Sequence, residues 1–181
     1  GVQTSALPIY NITQATFVFN DDINSELKTQ IDSLIFSCGI PIQILLRKNG
    51  GFSYGSWNDA ILLNKTFDYY FLLEDDYIPA VHQFYQPFIE KMVDNVCYVC
   101  CYVEQATSAK YRVVPPGLEF NFPSISNGLI SGNYCREIYK KYNSLFYLKK
   151  TNDYVSAWDN QIMYLYNFIK EGLVVTDLVS E

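Results

Sequence analysis

The chain has 181 residues, of which 49% are hydrophobic and 18% are charged, and it is rich in Tyr and Phe. A chain of this length can bury about 70% of its unfolded surface, so we expect an aromatic-rich globular protein and not a disordered segment. The net charge of −6 argues against a nucleic-acid partner, because a general binder needs a basic face to displace counterions from phosphates. The longest apolar stretch, residues 33–46, is interrupted by Gly39 and Pro41 and is shorter than the ~20 residues of a membrane helix.

These features lead us to expect a protein without a membrane span and with a cytoplasmic location. The chain begins at Gly1, which suggests a domain taken from a longer protein. We find no linker or composition break, so we expect one domain over residues 1–181. The abundance of Asn, Tyr, Ile and Lys suggests a viral or microbial source, in which case the location would be the host cytoplasm.

The first half of the chain alternates between strand and helix patterns. Residues 15–20 form a β-rich run, and apolar residues then recur at helical spacing from Ile23 to Cys38. Residues 40–46 are uniformly apolar, as in a buried parallel strand. A Gly- and Ser-rich loop follows and becomes a helix near Ser56, a residue type that can cap a helix. Residues 67–73 form a third strand.

The second half continues this alternation. We predict a helix over 81–94, a strand over 96–104, a Pro-rich loop over 113–124, helices over 133–142 and 159–170, and a last strand over 173–177. The "CYVCC" segment, residues 97–101, is predicted to place thiols in a core strand. Alternating strands and helices predict an α/β fold with right-handed crossovers, in which helices cover both faces of a mostly parallel central sheet.

An acidic triplet, Glu74, Asp75 and Asp76, directly follows the third strand. On an extended chain residues i and i+2 point to the same side, so Glu74 and Asp76 face together. Two convergent carboxylates suit Mg²⁺ or Mn²⁺ when phosphate oxygens complete the coordination shell. The alternative interpretation is an acidic turn that is solvated after the strand.

The same sheet edge carries further groups suited to a diphosphate. In open sheets of this kind ligands bind at the carboxyl ends of strands. A Gly- and Ser-rich loop can bring backbone N–H groups close to phosphates, and Arg47 and Lys48 add positive charge. A nucleotide diphosphate with its metal ion is therefore the ligand that these residues predict.

The segment "RKNGGFSYGSWNDAILLNKTFDYYFLLEDDYIP" (47–79) resembles the central signature of GT-A-fold glycosyltransferases, especially family 2. In that family an Asn-x-Gly loop and an Asn-bearing helix lead to a strand that ends in an Asp-x-Asp motif. Glu74 and Asp76 match the two motif positions, and the weaker resemblance extends over about residues 15–177. Two features depart from the pattern, since Glu replaces Asp at the first position and the usual Asp-Asp-Gly-Ser after the second strand is absent.

The resemblance implies a GT-A fold, a nucleotide-diphosphate sugar as donor, with UDP favoured, a glycan or glycoprotein hydroxyl as acceptor, and Mn²⁺ or Mg²⁺ as cofactor. Asp76, helped by Glu74, would hold the metal. The candidate nucleotide-sugar residues are Asn20, Asp21, Arg47, Asn49, Gly50, Gly51, Ser53, Asn58 and Asp75.

Two later segments resemble family segments near the sugars. Residues 156–177 resemble the segment that carries the catalytic base, with Asp159 as the base and Trp158 able to stack on a sugar ring. Residues 126–142 resemble the loop and helix that flank the donor sugar, which gives Gly128, Ser131 and Gly132 as candidate contacts. The alternatives are a helix N-cap for Asp159 and a turn leading into an amphipathic helix for the glycine-rich loop.

Two other functions stay open on this sequence. A sugar-nucleotide pyrophosphorylase can share such a sheet, but it needs a basic Gly-rich loop after the first strand, which "FVFNDD" (17–22) lacks. A non-catalytic carbohydrate-binding module on the same fold is the second alternative. A metal-dependent donor-hydrolysis assay would separate a transferase from such a module.

Overall fold

The computed structural model describes residues 12–20, 23–37, 39–74, 77, 81, 83–149, 151 and 153–180. The chain divides into two compact units, residues 1–47 and 48–181. Within the described residues, no helix combines the length and apolar character needed to cross a membrane. The expectation of one functional domain stays a prediction.

The first unit is a strand, a helix and a second strand. Strand β1 (Ala15–Asn20) pairs in parallel with β2 (Ile42–Arg47), and helix α1 (Ser25–Ser37) connects them. Asn24 begins the helix, since its Oδ1 accepts a hydrogen bond from the Leu27 N–H at 2.8 Å. The predicted strand over 15–20 is confirmed, and the two strands end together because Asn20 is in register with Arg47.

The second unit contains the remaining elements, which alternate less regularly than predicted. In chain order they are α2 (Phe52–Leu63), β3 (Tyr69–Leu72), α3 (Gln86–Glu90), β4 (Val96–Cys100), β5 (Val103–Thr107), β6 (Glu119–Pro123), β7 (Gly128–Ser131), α4 (Gly132–Tyr142), α5 (Tyr154–Met163), α6 (Tyr166–Ile169) and β8 (Val174–Asp177).

The mixed α/β class is confirmed, but the described strands do not form one mostly parallel central sheet. Four strands lie in the order β3-β7-β4-β8, and β7 runs antiparallel to both of its neighbours. Only β4 and β8 pair in parallel within this sheet, and β5 and β6 form a separate antiparallel pair. The prediction failed because Pro, Ser, Asn and Gly occupy seven of the thirteen positions of residues 119–131, and these turn-forming residues indicated a loop although Phe120 and Phe122 alternate with polar residues in β6.

Several predicted boundaries also need correction. The strand predicted over 96–104 breaks at residues 101–102, and the part after the break belongs to β5. The helix predicted over 81–94 is α3 alone among the described residues, and the one predicted over 159–170 is the pair α5 and α6. Ser56 does not cap α2, because the helix already begins at Phe52 and the Ser56 hydroxyl donates back to the Phe52 carbonyl at 3.3 Å.

Strand β4 lies at the centre of the core. Cys97, Tyr98, Val99 and Cys100 are all fully buried, and the Tyr98 ring contacts that of Tyr164 edge-on at 5.9 Å. Burial raises the pKa of the Cys100 thiol to about 12, so this thiol stays protonated and packs as a small apolar group. The predicted core thiols of this segment are therefore confirmed for Cys97 and Cys100, whereas Cys101 is exposed.

The junction between β7 and α4 requires glycine. A Cβ atom on Gly132 would lie 2.0 Å from the Phe67 carbonyl oxygen, and one on Gly128 would lie 2.3 Å from the Val99 carbonyl oxygen. The Gly132 N–H also donates to the Asp68 carbonyl at 2.7 Å. Backbone from neighbouring segments thus fills the space that side chains would need.

The substitution Gly132→Ala should destabilise the protein by about 2–3 kcal/mol, because a backbone carbonyl cannot move aside as a flexible side chain can. Urea denaturation measures the change. Gly39→Ala is the matched control, since a Cβ there meets nothing within 4 Å. A loss below about 0.5 kcal/mol for Gly132→Ala, the range of ordinary surface changes, would contradict this packing.

Candidate functional site

The carboxyl end of β3 is held by two side chains just before the acidic triplet. Trp57 Nε1 donates to the Leu73 carbonyl at 3.4 Å, and the Glu74 N–H donates to Asn127 Oδ1 at 2.7 Å. Glu74 is half-buried. Asp75 and Asp76 lie outside the described residues, so their assigned roles stay predictions. The described part of the motif is therefore Glu74, whose backbone is held in place after the end of β3.

Asn127 is the feature of this region that the sequence did not predict. It is 4% exposed, and its Nδ2 has no hydrogen-bond partner within the part of the chain that the structure describes. The amide orientation follows from its neighbour, because Oδ1 must face the Glu74 N–H and Nδ2 must then face away from it. A buried donor left without a partner costs about 1–3 kcal/mol, so this group points to a ligand that carries an acceptor.

Buried hydroxyl groups hold the loop that carries Asn127. The hydroxyls of Tyr54 and Ser126 are 2.6 Å apart, and the Tyr98 hydroxyl donates to the Ser126 carbonyl. Burial raises the pKa of both tyrosines, and the nearby Glu74 charge acts in the same direction. Both phenols are therefore neutral at physiological pH, and together they hold Ser126, the residue before Asn127.

The glycine loop before α2 adopts the conformation that its sequence permits. Gly51 has a φ of 83°, in the left-handed region that favours glycine. Its carbonyl accepts from the Gly55 N–H at 3.0 Å, and a Cβ on it would lie 3.6 Å from the Lys149 carbonyl oxygen. Asn49, Gly50 and Ser53 are half-buried in the same region. The loop therefore passes close to the backbone of Lys149.

Asn58 lies further along α2 and contacts the protein itself. Its Nδ2 donates to Asp59 Oδ1 at 3.1 Å, and its Oδ1 accepts from the Phe146 N–H at 3.5 Å. These contacts give Asn58 a structural role in holding the segment after α4. Its assignment to the nucleotide stays a prediction.

Asp159 lies inside α5 and not at its start. Asp153 is the N-cap, with its carboxylate accepting from the Ser156 N–H at 2.9 Å, so the N-cap interpretation of Asp159 is wrong. Asp159 is 6% exposed and forms an ion pair with Lys149 Nζ. Lys149 was not predicted from the sequence, because the pair joins a loop to a helix ten residues later.

A cleft of about 270 Å³ opens beside Asp159. Its wall includes Trp158, which is 45% exposed, and Tyr154, whose ring contacts that of Trp158 edge-on at 6.2 Å. Residues 110–113 also line the cleft. The predicted base and the predicted stacking residue therefore line one cleft.

The loop over residues 124–127 connects this cleft to the strand end. Gln161 Nε2, on the helix of Asp159, donates to the Ser124 carbonyl at 2.6 Å. Three residues later, Asn127 accepts from the Glu74 N–H. The acidic strand end and the helix with the candidate base are thus attached to the same short segment.

The three residues assigned to the donor sugar lie within the β7–α4 junction. Gly128, Ser131 and Gly132 are all buried, and the Ser131 hydroxyl caps α4 by accepting from the Tyr134 N–H at 3.5 Å. Packing against the protein's own backbone accounts for both glycines. A contact between these residues and a sugar stays a prediction.

The remaining candidates belong to the first unit. Arg47 Nη1 donates to Asn20 Oδ1 at 2.6 Å, and both residues end their strands at the same edge. The structure thus brings Asn20 and Arg47 together, while Asp21 lies outside the described residues.

No group of three or more His, Cys, Asp or Glu side chains is placed to hold a metal ion among the described residues, which do not include Asp75 and Asp76. Comparison of the chain with protein-family models, with curated proteins and with solved structures found no match. The proposed function therefore rests on the site alone.

Glu104 links the cleft to the loop over residues 124–127 through hydrogen bonds. Its carboxylate accepts from Lys110 Nζ at 2.7 Å, from the Ser124 hydroxyl at 2.7 Å and from the Tyr111 hydroxyl at 3.0 Å. These three donors, with Lys110 contributing most, lower the pKa of Glu104 to about 2. One carboxylate therefore holds both the 110–111 segment and Ser124.

The substitution Glu104→Gln should destabilise the protein by about 1–2 kcal/mol at pH 7, less than the about 1.5–3 kcal/mol of buried hydrogen bonds to a charged group, because the Glu104 side chain is 32% exposed and solvent screens its charge. Because the folded pKa of Glu104 is lowered, its contribution is complete above the ordinary value of 4.5 and is lost as the pH falls towards 2. The difference in unfolding free energy between the wild type and the variant should therefore shrink between pH 5 and pH 3. Glu119→Gln, on an exposed position of β6, is the control. A difference that does not change with pH would contradict the assignment.

Proposed function

We propose that the protein is a metal-dependent glycosyltransferase of the GT-A type. It would transfer a sugar, with inversion, from a nucleotide-diphosphate sugar, UDP-sugar favoured, to a hydroxyl of a glycan or glycoprotein. The observation that carries the proposal is the buried Asn127 amide, which binds the Glu74 backbone through Oδ1 and leaves Nδ2 without a partner. A ligand with oxygen acceptors at the acidic strand end would satisfy this donor.

The side chains at this strand end suit a hard divalent cation. Glu74 and Asp76 would hold Mn²⁺ or Mg²⁺ through carboxylate oxygens, which are the ligands such ions prefer. When bound, the ion would neutralise the charge that develops on the departing diphosphate. Asn127 Nδ2 would donate to a donor-substrate oxygen, and the glycine loop over residues 50–51 would offer backbone N–H groups to the phosphates.

Asp159 would act on the acceptor. Its carboxylate would take the proton from the acceptor hydroxyl as that oxygen bonds to the anomeric carbon and the bond to the diphosphate oxygen breaks. Lys149, which pairs with Asp159, would keep the carboxylate in a fixed orientation. Trp158 would hold the acceptor ring against its exposed face, so that the reacting hydroxyl lies near the base.

A non-catalytic carbohydrate-binding module is the second candidate. The observation in its favour is the exposure of both aromatic rings in the cleft, 45% for Trp158 and 76% for Tyr154, since exposed apolar surface in a groove is typical of binding sites. This module would bind saccharides without donor turnover. An assay of metal-dependent release of sugar from nucleotide sugars separates the two functions.

Nucleotide sugars should raise the melting temperature of the wild type in the presence of Mn²⁺. A ligand at a hundred times its Kd adds about 2.7 kcal/mol, which corresponds to a rise of about 5 °C or more for a protein of this size. Asp76→Ala should abolish the Mn²⁺-dependent part of the rise. Asn127→Asp, which keeps the acceptor for Glu74 but replaces the amide donor by a charged oxygen, should reduce the rise, and circular dichroism would show whether the variant is folded.

The control for this screen is Asp32→Asn, which removes an exposed carboxylate on α1 and should leave the rise unchanged. The absence of any rise with uridine, guanosine or thymidine sugars would contradict the transferase and favour the binding module.

The substitution Asp159→Asn should remove transfer while donor binding persists, because the amide keeps the shape of the side chain but cannot accept a proton. We expect the transfer rate to fall by about 10²-fold or more, the range of general-base catalysis. Calorimetry measures donor binding, and product formation measures transfer. Glu137→Gln, at an exposed position of α4, should have no effect. Retention of more than about a tenth of the transfer rate by Asp159→Asn would exclude Asp159 as the base.

A further inference from the structure

The charges around the cleft cancel in pairs, with one exception. Asp159, a buried residue that lines the cleft, is paired with Lys149. Lys110 is paired with Glu104 at 2.7 Å. Arg112 is exposed on the cleft wall, and no carboxylate among the described residues forms an ion pair with it. In a chain with a net charge of −6, the cleft therefore carries an uncompensated positive charge.

The backbone around Arg112 is well supported. The Tyr111 N–H donates to the Thr107 carbonyl at 2.8 Å, and the Val114 N–H donates to the Tyr111 carbonyl at 3.0 Å. The Tyr111 ring packs edge-on against Phe122 at 5.5 Å, and Val114 is 3% exposed. The backbone is therefore fixed on both sides of Arg112, and the Arg112 side chain lines the cleft.

Two aromatic residues also line the cleft. Tyr154 and Trp158 are four residues apart on α5, which places them on one face of the helix, and both are exposed. An aromatic face packs against the C–H groups of a sugar ring, and the partial negative charge of the face suits their polarity. A guanidinium, by contrast, pairs with carboxylate or phosphate oxygens.

We propose that this cleft binds a saccharide that carries an anionic group, with the sugar ring on Trp158 and the carboxylate or phosphate on Arg112. The inference rests on the proposed function for its role, since the bound saccharide would be the acceptor. Pairing with Lys149 lowers the repulsion between Asp159 and such a ligand, so that a base and an anionic substrate can share the cleft.

Matched sugars test the inference without donor or metal. Methyl glucuronide is compared with methyl glucoside, and glucose 6-phosphate with glucose, by tryptophan fluorescence. The signal reports on the cleft, because the chain has two Trp residues and Trp57 is only 6% exposed whereas Trp158 is 45% exposed. We expect each anionic sugar to bind at least about threefold more tightly than its neutral partner in low salt, as for an exposed ion pair. The ratio should decrease in 0.5 M NaCl because salt screens the charge.

The variant Arg112→Gln should lower the ratio to about one while neutral sugars bind as before. Lys140→Gln removes one positive charge from an exposed position of α4 and should leave the ratio unchanged. Equal binding of anionic and neutral sugars by the wild type would overturn the inference, and so would a ratio that Arg112→Gln does not alter. Stronger quenching by UDP alone than by any of the sugars would also overturn it, because the cleft would then be the donor site.

Different results would contradict the transferase function and the assignment of the cleft to an anionic saccharide. Preference for anionic sugars without any donor turnover would sustain the cleft assignment and contradict the transferase. Transfer to neutral acceptors alone would sustain the transferase and contradict the cleft assignment.

Discussion

The candidate site depends on the hydrogen bonds that fix residues 124–127 against the core. The phenols of Tyr54 and Tyr98 meet at Ser126, where one contacts the hydroxyl and the other donates to the carbonyl. These groups are buried, and an unsatisfied partner there would cost more than the bond contributes. The loop therefore has one favourable position. From that position Asn127 reaches the Glu74 backbone and the Ser124 carbonyl accepts from Gln161.

This arrangement explains how two chemically different regions are kept together. The strand end carries Glu74, and the cleft offers a paired carboxylate, aromatic side chains and Arg112, which has no ion-pair partner among the described residues. Among the described residues, no single helix or strand extends through both regions. The short loop between β6 and β7 supplies the connection, and Glu104 strengthens it by binding Ser124 and Lys110 together. A change in this loop should therefore affect the strand end and the cleft together.

Ion pairs also contribute to the arrangement of these regions. Asp159 and Glu104 each form an ion pair with a lysine, which offsets part of the cost of removing each carboxylate from water. Arg112 has no such partner among the described residues, and Asn127 has a donor without an acceptor. Asn127 is in the connecting loop itself, and Arg112 lines the cleft. They are the positions at which a ligand would contribute most to the stability of the folded protein.

The sequence by itself determined the local features. The β-rich run over 15–20 is a strand, the last strand begins within one residue of its predicted position, and the acidic triplet follows a strand. Such features depend on residue type and short-range spacing. The association of Asp159 with Trp158 in one cleft was also predictable, because adjacent helical residues cannot lie far apart.

Only the tertiary structure decided the pairing of the strands and the contacts of the site. Strand β7 lies between β3 and β4 and runs antiparallel to both, contrary to the predicted parallel sheet, and Gly128 and Gly132 allow the neighbouring backbone to approach closely there. Asn127 is 53 residues from Glu74, and Lys149 lies on a loop ten residues from Asp159. Their roles follow from hydrogen bonds and charges that meet only after the chain has folded, and no local pattern encodes contacts at such separations.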